Sequence, residues 1–216
     1  MAINYRVAAE VVDLHADRPS PGEKFLVDTN VWYWTSYSRL SLTPPSRQPK
    51  PYQLTDYPRY LKQLLQVGAE IFWCGLALSE LAHLIEAAEY QIWNVAANTS
   101  GQGGGPPKEF RHNFPSERAH VVAEITTAWA DVNAIGKVLP APLVIDHQAT
   151  VQAVTDMQSF PLDGYDLFFF RSALTIGIPQ IISDDGDFCT LPGIRLFTRN
   201  KSVLQAAAAQ NKILQR

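Results

Sequence analysis

Acidic residues recur in this chain where a strand should end or a helix begin. Asp28 closes the apolar run Phe25-Leu-Val27, and Glu80 stands at the start of the helix expected after Glu70-Ile-Phe-Trp-Cys74. Asp166 opens an apolar stretch reaching Ile176, and Asp184, Asp185 and Asp187 follow Ile181-Ile182-Ser183. An acid at a helix N-terminus can simply cap it. Four such positions, on edges that an α/β sheet turns toward one face, point instead to a shared site. Carboxylates crowded together raise one another's pKa unless a cation neutralises them. Hard oxygen donors with no thiolate and no paired histidines select Mg²⁺ or Mn²⁺ over zinc. A carboxylate-held ion of that kind suits hydrolysis of a phosphodiester.

Charge is distributed to match. Asp146 to Asp187 holds seven acids against Arg171 alone, whereas Arg39 to Lys62 holds five basic residues against Asp56. The last 22 residues, from Arg195, carry five basic residues and no acid. A polyanionic substrate cut with the help of a metal would fit acid flanked by base. Between Trp32 and Tyr60, aromatic residues alternate with Arg39, Arg47, Lys50 and Arg59, a composition that can grip single-stranded RNA by stacking and charge. These four cations and Arg171 are the candidate RNA contacts. Core aromatics followed by a solvated loop would give the same composition.

Other chemistries are weaker. Glu-x-x-His occurs at Glu80/His83, Glu109/His112 and Glu117/His120, a spacing used by di-iron carboxylate bundles. That reading needs an all-helical fold, which the strand-like runs oppose. Cys74 and Cys189 are far apart and outside metal-ligand spacing, so they read as buried thiols of a reducing, cytoplasmic compartment. The glycines of residues 98–107 lack the Lys-Ser/Thr of a phosphate loop and mark an exposed connection. No apolar run is long enough to span a membrane, and no secretory signal is evident.

The elements needed to position the acids follow from patterning. Lys24 to Asp28, Glu70 to Cys74, Pro179 to Ser183 and Ile194 to Phe197 are strand candidates. The alternation of Tyr5, Val7, Ala9 and Val11 suggests an edge strand. Helices are expected near Val31, from Pro58 to Val67, from Leu78 with Ser79 or the turn before it as cap, from Ser116 to Gly136, over 148–157, from Asp166 to Ile176, and after Lys201. Five prolines make residues 42–58 a loop. Alternating strands and helices in 216 residues predict one α/β domain, three-layer α/β/α, with a mainly parallel central sheet.

The ordered set of Phe25-Leu-Val-Asp28-Thr-Asn30, Leu78-Ser-Glu80-Leu, Tyr165-Asp166-Leu-Phe-Phe-Phe-Arg-Ser-Ala173 and Ile182-Ser183-Asp184-Asp185-Gly-Asp187-Phe188 resembles the motifs of the PIN-domain nucleases. The resemblance implies a metal-dependent endoribonuclease. Asp28, Glu80, Asp166 and Asp185 would hold Mg²⁺ or Mn²⁺, Asp187 would be a further acid, and Asn30 and Ser183 would orient ligands. It also implies an RNA substrate, a homodimer, and, for the toxin members of the family, an antitoxin protein as partner. Residues 42–58 and 98–142 would be inserts, the first a Pro-rich loop and the second a Gly-rich loop plus helix. A nuclease-like fold used only to bind metal or RNA is the alternative. The turn after Ile182 leaves open which of Asp184, Asp185 and Asp187 touches metal, and Asp163 competes with Asp166.

Overall fold

Strand residues here are apolar on both faces, and each face meets its own set of helices. The protein is described by a computed structural model over residues 3–100, 104–141 and 144–216. The strands are β1 (Glu10–Asp13), β2 (Lys24–Val27), β3 (Glu70–Trp73), β4 (Lys137–Val138), β5 (Gln180–Ile182) and β6 (Arg195–Thr198). They form one six-stranded sheet in the order β1-β6-β5-β2-β3-β4, with every pairing parallel. The helices are α1 (Thr29–Ser36), α2 (Pro51–Val67), α3 (Ala77–Thr99), α4 (Pro107–Asn113), α5 (Pro115–Ile135), α6 (His147–Met157), α7 (Gly164–Thr175) and α8 (Lys201–Ala209).

Successive side chains of a strand point to opposite faces. Val11, Leu26, Phe72, Ile181 and Leu196 therefore join one core with Leu167, Phe170 and Ala173 of α7 and Val203 and Ala207 of α8. Their neighbours Val12, Phe25, Ile71, Ile182 and Phe197 join the other, with Trp32 of α1, Tyr57, Tyr60 and Leu64 of α2, Leu81 and Ile85 of α3, and Val132 of α5. The result is the expected three-layer α/β/α fold. It leaves no room for the helical bundle that a di-iron reading requires.

Connections decide where the two halves part. From β2 the chain moves outward to β3 and then β4, whereas from β5 it moves the opposite way to β6. β2 and β5 are adjacent, Val27 pairing with Ile182, and so flank the point where the chain's direction reverses. Ligands of open α/β sheets bind in the crevice outside such a point.

Three expectations need correction. Residues 51–58 are helical, because Pro51 supplies the fixed φ suited to a first helical position and the Gln53 side chain accepts from the Lys50 amide. Pro58 lies inside α2 rather than at its start. The helix in the 98–142 segment is no appendage: α5 packs on α1 and α3 and supplies Ala128 and Val132 to the core. Residues 98–99 end α3, and 101–103 and 142 of that segment lie outside the described residues. Finally, α3 begins at Ala77 rather than Leu78, and of its two expected caps the preceding turn at Leu76 serves, since the Ser79 hydroxyl donates to Leu76 O. Cys74 and Cys189 are both buried and unpaired. Among the described residues, no helix is long and apolar enough to cross a membrane.

Candidate active site

Asp28 ends β2 and is the N-cap of α1, with only 4% of its surface exposed. Its neighbour across the switch point is Ser183, the residue after β5, which is fully buried. The Ser183 hydroxyl donates to Asp28 Oδ2 at 2.6 Å, and its oxygen accepts from the Asp185 amide at 2.9 Å. The hydroxyl thus has one place for its proton, and it fixes Asp28 against the turn carrying Asp185. That turn is tightened by the Asp187 amide, which donates to Asp185 Oδ1 at 2.8 Å. Asn30 contributes its backbone amide to Asp28 Oδ1 at 3.4 Å, and its side chain makes no described hydrogen bond.

Glu80 arrives on the first turn of α3 and Asp166 on the first turn of α7. Asp163 and Asp166 differ in what the backbone asks of them, though the charge of Asp163 acts on Glu80, Asp166 and Asp187. Asp163 caps α7, accepting from the amides of Tyr165 and Asp166, which leaves the Asp166 carboxylate free.

Titration behaviour shows how closely these acids sense one another. Burial pushes Asp28 up to about 7, against the Ser183 hydrogen bond, and the charges of Glu80 and Asp185 push the same way. Asp166 is raised to about 9, first by burial and then by Asp28, Asp163, Asp185 and Glu80. Burial and Asp163 raise Glu80 while the Thr29 hydroxyl opposes them, and burial with Asp185 and Asp163 raises Asp187. Asp28, Glu80, Asp166 and Asp185 thus lie near enough for their charges to act on one another. Among the described residues, no Lys, Arg or His forms an ion pair with Asp28, Glu80, Asp166 or Asp185. Acids elsewhere, such as Asp13, Asp17, Asp56 and Asp156, do have cationic partners. The donor set is all oxygen and fits a hard divalent cation. Even so, among the described residues no three of the four acids bring their oxygens within 4.8 Å of one another; Glu89, His120 and Glu124 do.

Asp184 does not belong to this group. Its carboxylate accepts from Tyr52 Oη at 2.8 Å, Gln53 Nε2 at 2.7 Å and Tyr57 Oη at 2.7 Å, so it is turned toward α2 and held there. Gln53, the Thr29 hydroxyl and Tyr5 escaped sequence reasoning, whereas Tyr52 and Tyr57 belong to the aromatics read as possible stacking partners of RNA, and Tyr57 is instead a buried core residue. Tyr5 lies over the Asp185–Asp187 turn so closely that a Cβ on Gly186 would stand 2.1 Å from its hydroxyl oxygen. The Tyr-x-x-x-x-Tyr spacing of 52 and 57 gives no hint of a target 127 residues away.

Of the five candidate RNA contacts, three are engaged elsewhere. Arg171 forms a two-pronged pair with Asp156 of α6, Arg39 faces the buried Glu89, and Arg59 meets Asp56 and His15. Arg47 and Lys50 are exposed and lack an acidic partner among the described residues. Lys50 directly precedes the turn of α2 that holds Asp184, and its ammonium lies over the Tyr52 ring.

Comparison of the chain with family models, curated proteins and solved structures finds no match.

Proposed function

We propose that the chain is a metal-dependent endoribonuclease of the PIN-like kind, hydrolysing RNA phosphodiester bonds. The observation that carries this reading is the group of acids at the switch point, none of them in an ion pair among the described residues although His83 acts on Glu80, beside a Ser183 hydroxyl that locks Asp28 in place. Asp28, Glu80, Asp166 and Asp185 would hold Mg²⁺ or Mn²⁺, with Asp187 as a further acid at the rim. Bound there, the ion would polarise a phosphoryl oxygen and lower the pKa of a water.

The chain's own residues do the rest. Ser183 orients Asp28, and the Asp187 amide orients Asp185. Lys50 and Arg47, exposed and without an acidic partner among the described residues, are the cations free to meet phosphates of the strand. Water attacks phosphorus in line with the departing 3′ oxygen, which leaves a 3′-hydroxyl and a 5′-phosphate. Tyr5, above the Gly186 turn, limits the space on that side.

Purified protein incubated with single-stranded RNA should cleave it in Mn²⁺ or Mg²⁺ and not in EDTA. Asp28→Asn should abolish cleavage, by at least about 100-fold. Equal cleavage by this variant would refute the assignment. Mn²⁺ binding without cleavage of any RNA would instead make the protein a binding module. A toxin role adds one requirement, a protein partner that suppresses the cleavage when the two are co-expressed.

A further inference from the structure

Three side chains outside the acidic pocket have the geometry of a metal site. Glu89 projects from the middle of α3, and His120 and Glu124 lie one turn apart on α5, so all three face the seam between the helices. One ligand atom from each lies within 4.8 Å of the other two. His120 Nε2 is 3.5 Å from Glu89 Oε2 and 3.9 Å from Glu124 Oε1. These separations are too long for hydrogen bonds. They approach the spacing of about 3.4 Å between ligands that share a tetrahedral ion at bond lengths of about 2.1 Å.

A second observation concerns the imidazole itself. His120 Nε2 is shielded from solvent and has no hydrogen-bond partner, although the side chain as a whole is 40% exposed. A buried polar atom left unpaired needs an explanation, and a lone pair aimed between two carboxylates supplies one. Glu89, almost wholly buried, is held by Tyr37, whose hydroxyl donates to Oε1 at 2.7 Å and leaves Oε2 toward His120. Such an outer hydrogen bond fixes the orientation of a ligating carboxylate. Arg39 Nη1 stands 3.4 Å from the same Oε2, also beyond hydrogen-bond range, on a side chain that reaches solvent. It serves as counter-charge when no ion is bound and opposes one that arrives.

We propose that Glu89, His120 and Glu124 form a Zn²⁺ site bridging α3 and α5. An imidazole with two carboxylates suits a borderline ion better than Mg²⁺. Three protein ligands leave a fourth tetrahedral position for water. Nine residues separate Glu80 from Glu89 along α3, roughly 13 Å of helix, so the site is distinct from the acidic pocket. It does not depend on the nuclease reading.

The test is titration of the purified full chain with Zn²⁺, and with Co²⁺ for its tetrahedral visible absorption, in excess Mg²⁺. The parent and Asp28→Asn should bind one ion alike. His120→Ala and Glu124→Gln, both at partly exposed positions, should weaken binding at least about 10-fold with unchanged circular dichroism. Arg39→Ala should tighten it several-fold by removing like charge, an effect opposite to that expected if Arg39, Glu89 and His120 were only an ion-pair network. Zn²⁺ at about 100 times its Kd should raise the parent's Tm by roughly 5 to 10 °C. Binding by His120→Ala as tight as the parent's, loss of the ion in Asp28→Asn, or no binding below millimolar Zn²⁺ would each overturn the proposal.

Discussion

Asp184 and Asp185 are adjacent, chemically identical and equally close to the end of β5, yet the structure gives them opposite surroundings. Three donors from α2 hold Asp184, whereas the second oxygen of Asp185 has no described hydrogen bond and the charge of Asp185 acts on Asp28 and Asp166. Asp185→Asn should therefore lower RNA cleavage at least about 100-fold, while Asp184→Asn, a near-isostere, should leave it within a few-fold and cost mainly stability. Initial rates of cleavage by the two variants, each checked for folding, decide the matter; equal losses would contradict the difference in environment. The sequence could not make this distinction. Asp28 and Asp166 were legible because apolar runs and helix starts announce their positions, but the partners that separate Asp184 from Asp185 sit more than a hundred residues upstream. Arg171 was hard to read for a different reason, since its partner lies only 15 residues away but on another helix. Its charge within an apolar helix was visible, and its partner Asp156 was not.

At the scale of elements, α2 links the Pro-rich segment to the acidic turn. Its Tyr57 hydroxyl sits in the core, donating to Asp184 Oδ1, accepting from the Arg199 amide at 3.0 Å, and lying 3.2 Å from Thr198 Oγ1. Removing one hydroxyl unpairs several buried groups at once. Tyr57→Phe should lower unfolding stability by about 1 to 3 kcal/mol in urea titration; an unchanged midpoint would mean that water replaces the lost bonds. Four strands were legible as apolar runs, since a parallel sheet buries both faces and leaves no polar residues in β2 after Lys24, or in Ile181-Ile182 of β5. β4 was not legible, because its two residues are exposed and pair only at the sheet edge. Prolines concealed the start of α2. Pro58 forfeits one amide bond, yet buried Tyr57, Tyr60, Leu61 and Leu64 keep the helix on the sheet.

For the whole molecule, the uncompensated acids make stability depend on pH in an uncommon direction. Folding raises Asp28 to about 7 and Asp166 to about 9, from roughly 4 in an unfolded chain. The folded state therefore binds more protons than the unfolded one above pH 4. This contribution is complete below that value and is lost as pH rises through 7 and then 9. In EDTA, Tm should fall between pH 5 and pH 8, corresponding to at most about 1.4 kcal/mol per carboxyl per pH unit. Asp28→Asn should flatten the slope, and saturating Mn²⁺ should do the same by taking the protons' place. A Tm that rises over this range in EDTA would show that other groups dominate.

The bond from Ser183 to Asp28 spans 155 positions of the chain. During translation the first strands and Glu80 leave the ribosome long before β5 exists to bring Asp185 and Ser183 alongside them. Whatever these acids hold, their full set is in place only when nearly all of the chain has been made.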